Sequence, residues 1–143
     1  MRGFDPAALR QLRTDAGFTV VDLARLSRTG RRTIQMWESG TNSPQVDVLA
    51  RVCEALNVPI AAVVDLADDE MYPADLRVLA GITQPELGRR AGVSTSMVGI
   101  VERAEVELSD AVCEVLAAAV GSSAVDYRRA YERARCRPAG QPA

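Results

Sequence analysis

"LRTDAGFTVVDLAR" at Leu12–Arg25 and "LRVLAGITQPELGR" at Leu76–Arg89 are one phrase written twice, 64 positions apart. Leu12, Arg13, Ala16, Gly17, Thr19, Leu23 and Arg25 recur as Leu76, Arg77, Ala80, Gly81, Thr83, Leu87 and Arg89. The register then runs on without a gap. Glu38 falls on Glu102, and Val48, Leu49, Val52, Ala55 and Leu56 fall on Val112, Cys113, Leu116, Ala119 and Val120. Self-similarity at a fixed period marks a repeated structural unit. The chain reads as two copies of one unit.

Each copy is punctuated as a set of short helices. Asp5-Pro6 is a cap followed by proline at the first helical position, and Gly17 ends that helix. Thr19 caps a second helix, a tight turn around Arg28–Gly30 leads into a third, and Gly40 ends it. Ser43-Pro44 opens a fourth that keeps apolar residues at helical spacing up to Leu56, and Pro59 opens a short fifth. In the second copy Thr83 and Glu86 spell a capping box, which makes that start the clearer of the two. Ser94 caps its third helix and Gly121 closes its fourth. No stretch shows strand alternation. The expected fold is all-α, with five helices per copy. A first domain spans 1–66, a second with a basic C-terminal helix spans 67–137, and 138–143 is a disordered tail.

Composition narrows the function. The chain is 48% hydrophobic but only 4% aromatic, so its core must come from Leu, Val, Ala and Ile. No apolar run approaches the ~20 residues that span a bilayer, and the N-terminus has no signal-peptide h-region. The sequence reads as soluble and cytoplasmic, with no membrane partner. It has no histidine, the commonest general base and metal ligand. Cys53, Cys113 and Cys136 form no CxxC or Cys/His set, and the first two sit in apolar helical patterns as small hydrophobes. There is no glycine-rich phosphate loop. The chain reads as a non-enzyme, with no catalytic residue, metal or cofactor. Its net charge of −2 is uneven: eight arginines against seven acids over 1–66, four against ten over 67–122, and five against two over 123–143. DNA binding needs a local basic face rather than overall positive charge. The first segment and the tail supply one.

Both copies resemble the Cro/CI-type (Xre-like) helix-turn-helix family. The likeness rests on "LRVLAGITQPELGRRAGVSTSMVGIVERA" (Leu76–Ala104) in the second copy. In the first it rests on "TIQMWESG" (Thr33–Gly40) followed by "SPQVDVLARVCEALNV" (Ser43–Val58). The resemblance implies lambda-repressor-like domains, in which the second helix braces a third that enters the major groove. It also implies an internal ion pair between the first helix and the end of the third, Arg13 with Glu38 and Arg77 with Glu102, each 25 residues apart. Such a pair fixes helix orientation and leaves a costly unpaired charge when one partner is lost.

On that reading "GRRTIQMWESG" (Gly30–Gly40) holds the recognition helix of the first copy. Gly30 takes the cap position, Arg31 and Arg32 open the helix, and Gln35 lies one turn after Arg31. An arginine donates two parallel hydrogen bonds to guanine O6 and N7, worth roughly 1–3 kcal/mol of discrimination. Phosphate contact without base reading is the other use open to Arg31 and Arg32. Ile34 and Trp37 face the core. Thr33, Thr41, Asn42 and Thr19 join the DNA-facing set. The first copy departs from the family pattern twice. Val20 stands where glutamine is usual, and Arg28 stands where glycine usually takes a left-handed conformation. An arginine there reaches for a phosphate instead. The second copy keeps Thr83 and Gln84, which the resemblance adds to the DNA-facing set, the glutamine contacting phosphate and bracing the recognition helix, but it presents Thr95, Ser96, Met97 and Gly99 amid Glu105, Glu107, Asp110 and Glu114. Base reading by Thr95 and Ser96 stands there beside a packing or dimerisation role. In the last helix Tyr127 and Tyr131 pack against the body or a partner, and Arg128, Arg129, Arg133 and Arg135 are open to phosphate.

The expected function is a sequence-specific regulator of transcription that binds double-stranded DNA, a repressor by family habit, acting by operator occlusion. A homodimer would read two half-sites about one helical turn apart. The rival is a protein-interaction module, antitoxin-like or binding the transcription machinery, whose acidic second copy docks a protein partner while DNA binding is weak.

Overall fold

Asp5 starts the first helix: its carboxylate accepts from the N–H groups of Ala7 and Ala8 at 2.8 and 3.1 Å, and Pro6 follows in the first turn. Both features spare orphan backbone donors. The computed structural model describes residues 1–141 and shows two units, Met1–Leu66 and Ala67–Ala143.

The first unit contains α1 (Pro6–Asp15), α2 (Val20–Leu26), α3 (Arg31–Glu38) and α4 (Val46–Ala55), then one 3-10 turn at Ile60–Ala62. Leu9, Leu23, Ile34, Leu49 and Val52 are fully buried, each contributing roughly 1.5–3 kcal/mol. The two ends of the unit meet. Phe4 pairs with Val64 in an isolated antiparallel bridge, and Asp5 N–H donates to the Val63 carbonyl at 2.9 Å. The Phe4 ring stands edge-on to buried Trp37, with centroids 6.5 Å apart.

The second unit opens with a 3-10 turn at Asp68–Glu70. It continues through α5 (Pro73–Leu79), α6 (Gln84–Ala91), α7 (Thr95–Glu102), α8 (Asp110–Val120) and α9 (Ala124–Arg135). Its core joins Leu87, Val98, Val101, Leu116, Tyr127 and Tyr131. The α9 helix is strapped to the unit at both ends. Arg128 donates to the Leu108 carbonyl at 3.0 Å, and Arg133 to the carbonyls of Met71 and Asp68 at 2.8 and 3.1 Å. Cys53 and Cys113 are buried, and burial pushes the Cys53 thiol up to about 11. Among the described residues no helix is long and apolar enough to cross a membrane.

The element positions of the two units run in parallel: α3 and α7 begin and end at residues 64 apart, and α4 and α8 begin 64 apart. The details differ from the sequence reading in four places. The fifth helix of the first unit is only the single turn at Ile60–Ala62. The fourth helix starts at Val46 with Gln45 in the cap position, because Pro44 is buried ahead of it and the Ser43 hydroxyl is taken by the N-terminal amine at 2.9 Å. The complete capping box lies on α2, where Thr19 and Asp22 exchange hydrogen bonds at 3.0 and 3.1 Å. In α6 the Thr83 hydroxyl accepts from Glu86 N–H, but the Glu86 carboxylate turns to Arg89 and Arg90 at i+3 and i+4. Finally, residues 138–141 form a turn in which Arg137 and Gln141 N–H bond to the carbonyls of Gln141 and Pro138. Positions 142 and 143 of the expected tail lie outside the described residues.

Candidate nucleic-acid interface

Gly30 sits in extended backbone ahead of α3 and offers no side chain to its first turn, so those N–H groups stay open. Arg31 and Arg32 are the first two residues of the helix and both are exposed, as is Gln35 one turn on. Thr33 is half-buried. Ile34 and Trp37 anchor the opposite face in the core. The helix is therefore fixed by its apolar side and presents two arginines and an amide on the other.

Beside it lies a groove of about 390 Å³ lined by residues that include Arg28, Thr29, Thr33, Asn42, Gln45 and Arg51. Arg28 takes a left-handed conformation at φ 53°, which costs a side-chain-bearing residue free energy relative to glycine. Arg51 lies near Asp47 at 3.9 Å and donates to the Ser27 carbonyl at 3.3 Å. Thr41 shares a 2.8 Å hydrogen bond with Ser39, and Asn42 is exposed next to it. Thr19 is exposed, but its hydroxyl is engaged with Asp22 at 2.6 Å.

The orientation of α3 is set by a buried ion pair. Arg13 Nε and one terminal nitrogen donate to the two Glu38 oxygens at 2.6 and 2.9 Å, and its other nitrogen to the Phe18 carbonyl at 2.7 Å. The Glu38 hydrogen bond holds the Arg13 guanidinium above its ordinary range, against the effect of burial. In the second unit Arg77 meets Glu102 at 2.5 and 3.1 Å and the Ile82 carbonyl at 3.0 Å. The second oxygen of each glutamate has a different further neighbour. Gln84 donates to Glu102 at 2.8 Å, while Arg10 approaches Glu38 at 3.7 Å. The exchange is reciprocal: Val20 occupies the glutamine's place in the first unit, and Ala74 occupies the place of Arg10 in the second. Sequence reasoning missed Arg10, although its signal was present in that pair of substitutions. Gln84, turned onto Glu102, has its amide nitrogen engaged inside the unit.

The corresponding face of the second unit differs in charge. Ser94 caps α7 by accepting from Met97 N–H at 3.1 Å, and Thr95 and Ser96 are exposed after it. Met97 and Ile100 are half-buried, and the Arg103 guanidinium lies so close to Gly99 that a methyl group there would come within 3.1 Å of it. The arginines nearby are all engaged. Arg89 and Arg90 bond to Glu86, the latter at 2.7 Å, and Arg103 grips Glu105 at 2.7 and 2.9 Å. That grip lowers the Glu105 carboxyl below its usual range. Arg31 and Arg32 have no such carboxylate among the described residues.

Residues 9–63, which run from within α1 through α4, match the helix-turn-helix family. Over 64 residues the chain is 33% identical to proteins of three Methanococcus maripaludis strains that are named as HTH-type transcriptional regulatory proteins, covering 45% of this chain and 20% of each relative. It is 26% identical over 81 residues to the cryptic phage CTXphi transcriptional repressor RstR of Vibrio cholerae, covering 54% of this chain and 73% of that repressor. The chain thus spans about a fifth of the length of the Methanococcus relatives. No solved structure matches.

Proposed function

We propose that the chain is a transcriptional regulator that binds double-stranded DNA sequence-specifically through its first unit, and represses by occluding an operator. The observation that carries this reading is the pair Arg31 and Arg32 at the open N-terminus of α3, exposed and without an ion-pair partner among the described residues. With α3 in the major groove, Arg31, Arg32 and Gln35 face base edges, where a bidentate arginine is worth roughly 1–3 kcal/mol. Arg28, Thr33, Thr41, Asn42 and Arg51 lie around the flanking groove or the end of α3, where phosphates pass. Thr19 serves chiefly as a cap. The match to the helix-turn-helix family over 9–63 supports this reading, as does the repressor name of the Vibrio relative.

The second unit reads as a second domain of the same kind, given the parallel element positions and the repeated Arg–Glu pair. Its role is better matched to protein contact than to DNA. Arg89, Arg90 and Arg103 already hold carboxylates, so they release few counterions, and Thr95 and Ser96 carry no charge.

Fluorescence-anisotropy titration tests the proposal, with the DNA upstream of the protein's own gene at two salt concentrations. Wild type should bind with a steep loss of affinity as salt rises. The Arg31→Ala/Arg32→Ala variant should bind at least about thirtyfold more weakly. Salt-sensitive binding that survives the double substitution would remove α3 from the account.

A further inference from the structure

The hairpin of α8 and α9 carries a groove of about 690 Å³ that DNA reading leaves unused, a size at which small-molecule sites are found. Cys113, Ala124 and Val125 give it an apolar floor, and Val125 is 61% exposed, so a ligand lying there withdraws apolar surface from water. The lining also holds three arginines and three acids, which differ in what already engages them. Arg128 donates to Asp110 at 2.7 Å and to the Leu108 carbonyl at 3.0 Å. Arg133 is held by the carbonyls of Met71 and Asp68, and Arg129 lies 3.4 Å from Asp126. Every arginine of the lining thus has an acceptor within its own unit. The side chains of Glu114 and Glu132 are exposed and have no hydrogen-bond or ion-pair partner among the described residues. Arg135, whose charge acts with that of Glu132, donates to the Tyr131 hydroxyl instead. What the groove leaves unmatched is therefore acidic: one carboxylate on α8 and one on α9.

We propose that this groove binds a small apolar organic cation, with an aromatic or alkyl body against Ala124 and Val125 and a positive centre held by Glu114 and Glu132. An uncharged molecule of the same shape covers the floor but takes water from both carboxylates and offers them nothing, which costs free energy. An anion meets the two free carboxylates and finds the arginines already engaged. A cation satisfies the carboxylates and the floor together. The site goes beyond the DNA reading and stands without it.

Isothermal titration calorimetry on the full chain without DNA reads the outcome. The probe is tetraphenylphosphonium, and tetraphenylborate is its counterpart of like shape and opposite charge. Wild type should take up the phosphonium saturably, with a dissociation constant of about 1–100 µM. It should bind the borate at least about tenfold more weakly. Glu114→Gln/Glu132→Gln should weaken phosphonium binding about tenfold and narrow the gap between the two probes. Glu54→Gln/Glu107→Gln removes the same charge from exposed positions outside the groove, and should change binding by less than about twofold. Thermal-unfolding midpoints within about 2 °C of wild type exclude misfolding as the cause of a loss. A wild type that takes up no phosphonium saturably overturns the proposal. So does borate binding as tight as phosphonium binding, a groove variant that binds like wild type, or a Glu54/Glu107 variant that loses as much as the groove variant.

Discussion

At the scale of single residues, the Arg13–Glu38 pair is where geometry and energy are most tightly coupled. The Glu38 side chain is 4% exposed and Arg13 14%, so removing one partner strands the other in a poorly hydrated place. Glu38→Ala should cost about 3–5 kcal/mol in urea unfolding, and the double change Arg13→Met/Glu38→Met should recover part of it. A single change that costs under about 1 kcal/mol would show the pair to be an ordinary surface contact. Two tyrosines of α9 make a second contrast. Tyr131 donates its hydroxyl to the Val106 carbonyl, whereas the Tyr127 hydroxyl is buried without a partner among the described residues. Burial, with the nearby Glu102 charge, holds the Tyr127 phenol above its ordinary range. Tyr131→Phe should therefore lose about 1 kcal/mol, and Tyr127→Phe should be neutral or stabilising. Equal losses in thermal unfolding would contradict that assignment. The arginine and glutamate of each pair stand in the sequence as repeated letters. The idle hydroxyl does not, since it depends on what surrounds a ring in three dimensions.

At the scale of elements, the turn between α2 and α3 decides how α3 is presented. The equivalent turn of the second unit has Gly92 at φ 69°, and Arg28 holds nearly the same conformation at φ 53°. Arg28→Gly should raise stability by about 0.5–1 kcal/mol and weaken DNA binding, the strain being retained for the charge. Lower stability, or unchanged binding, would remove that explanation. Helix punctuation was legible where one residue suffices: Asp5, Thr19, Gly30, Ser94 and Gly121 all stand at helix ends. It failed where side chains compete. Glu86 had a cap to complete and two arginines within reach, and the arginines won. The start of α4 was misplaced because the serine that reads as its cap is bonded to the N-terminal amine instead.

At the scale of the whole molecule, the proposed function rests on how charge is divided between the units. The acidic excess over 67–122 was visible from composition alone, but its meaning lies in pairing. Glu86 and Glu105 neutralise the arginines that a DNA-binding face would need, while Arg31 and Arg32 are left free. Spacing of three or four on a helix announces the Glu86 contacts. The inward turn of Gln84 leaves a fainter trace, the exchange of Gln84 for Val20 that accompanies the exchange of Ala74 for Arg10. The central claim is that DNA is read by α3 and not by α7. It is tested most directly by selecting a binding site from a random duplex pool with the wild-type chain, then titrating that site with two variants. Arg31→Ala/Arg32→Ala should lose at least about thirtyfold in affinity and tolerate base changes in the site, while Thr95→Ala/Ser96→Ala should bind within about threefold of wild type. The opposite ranking, or a pool that yields no enriched site, would contradict the account.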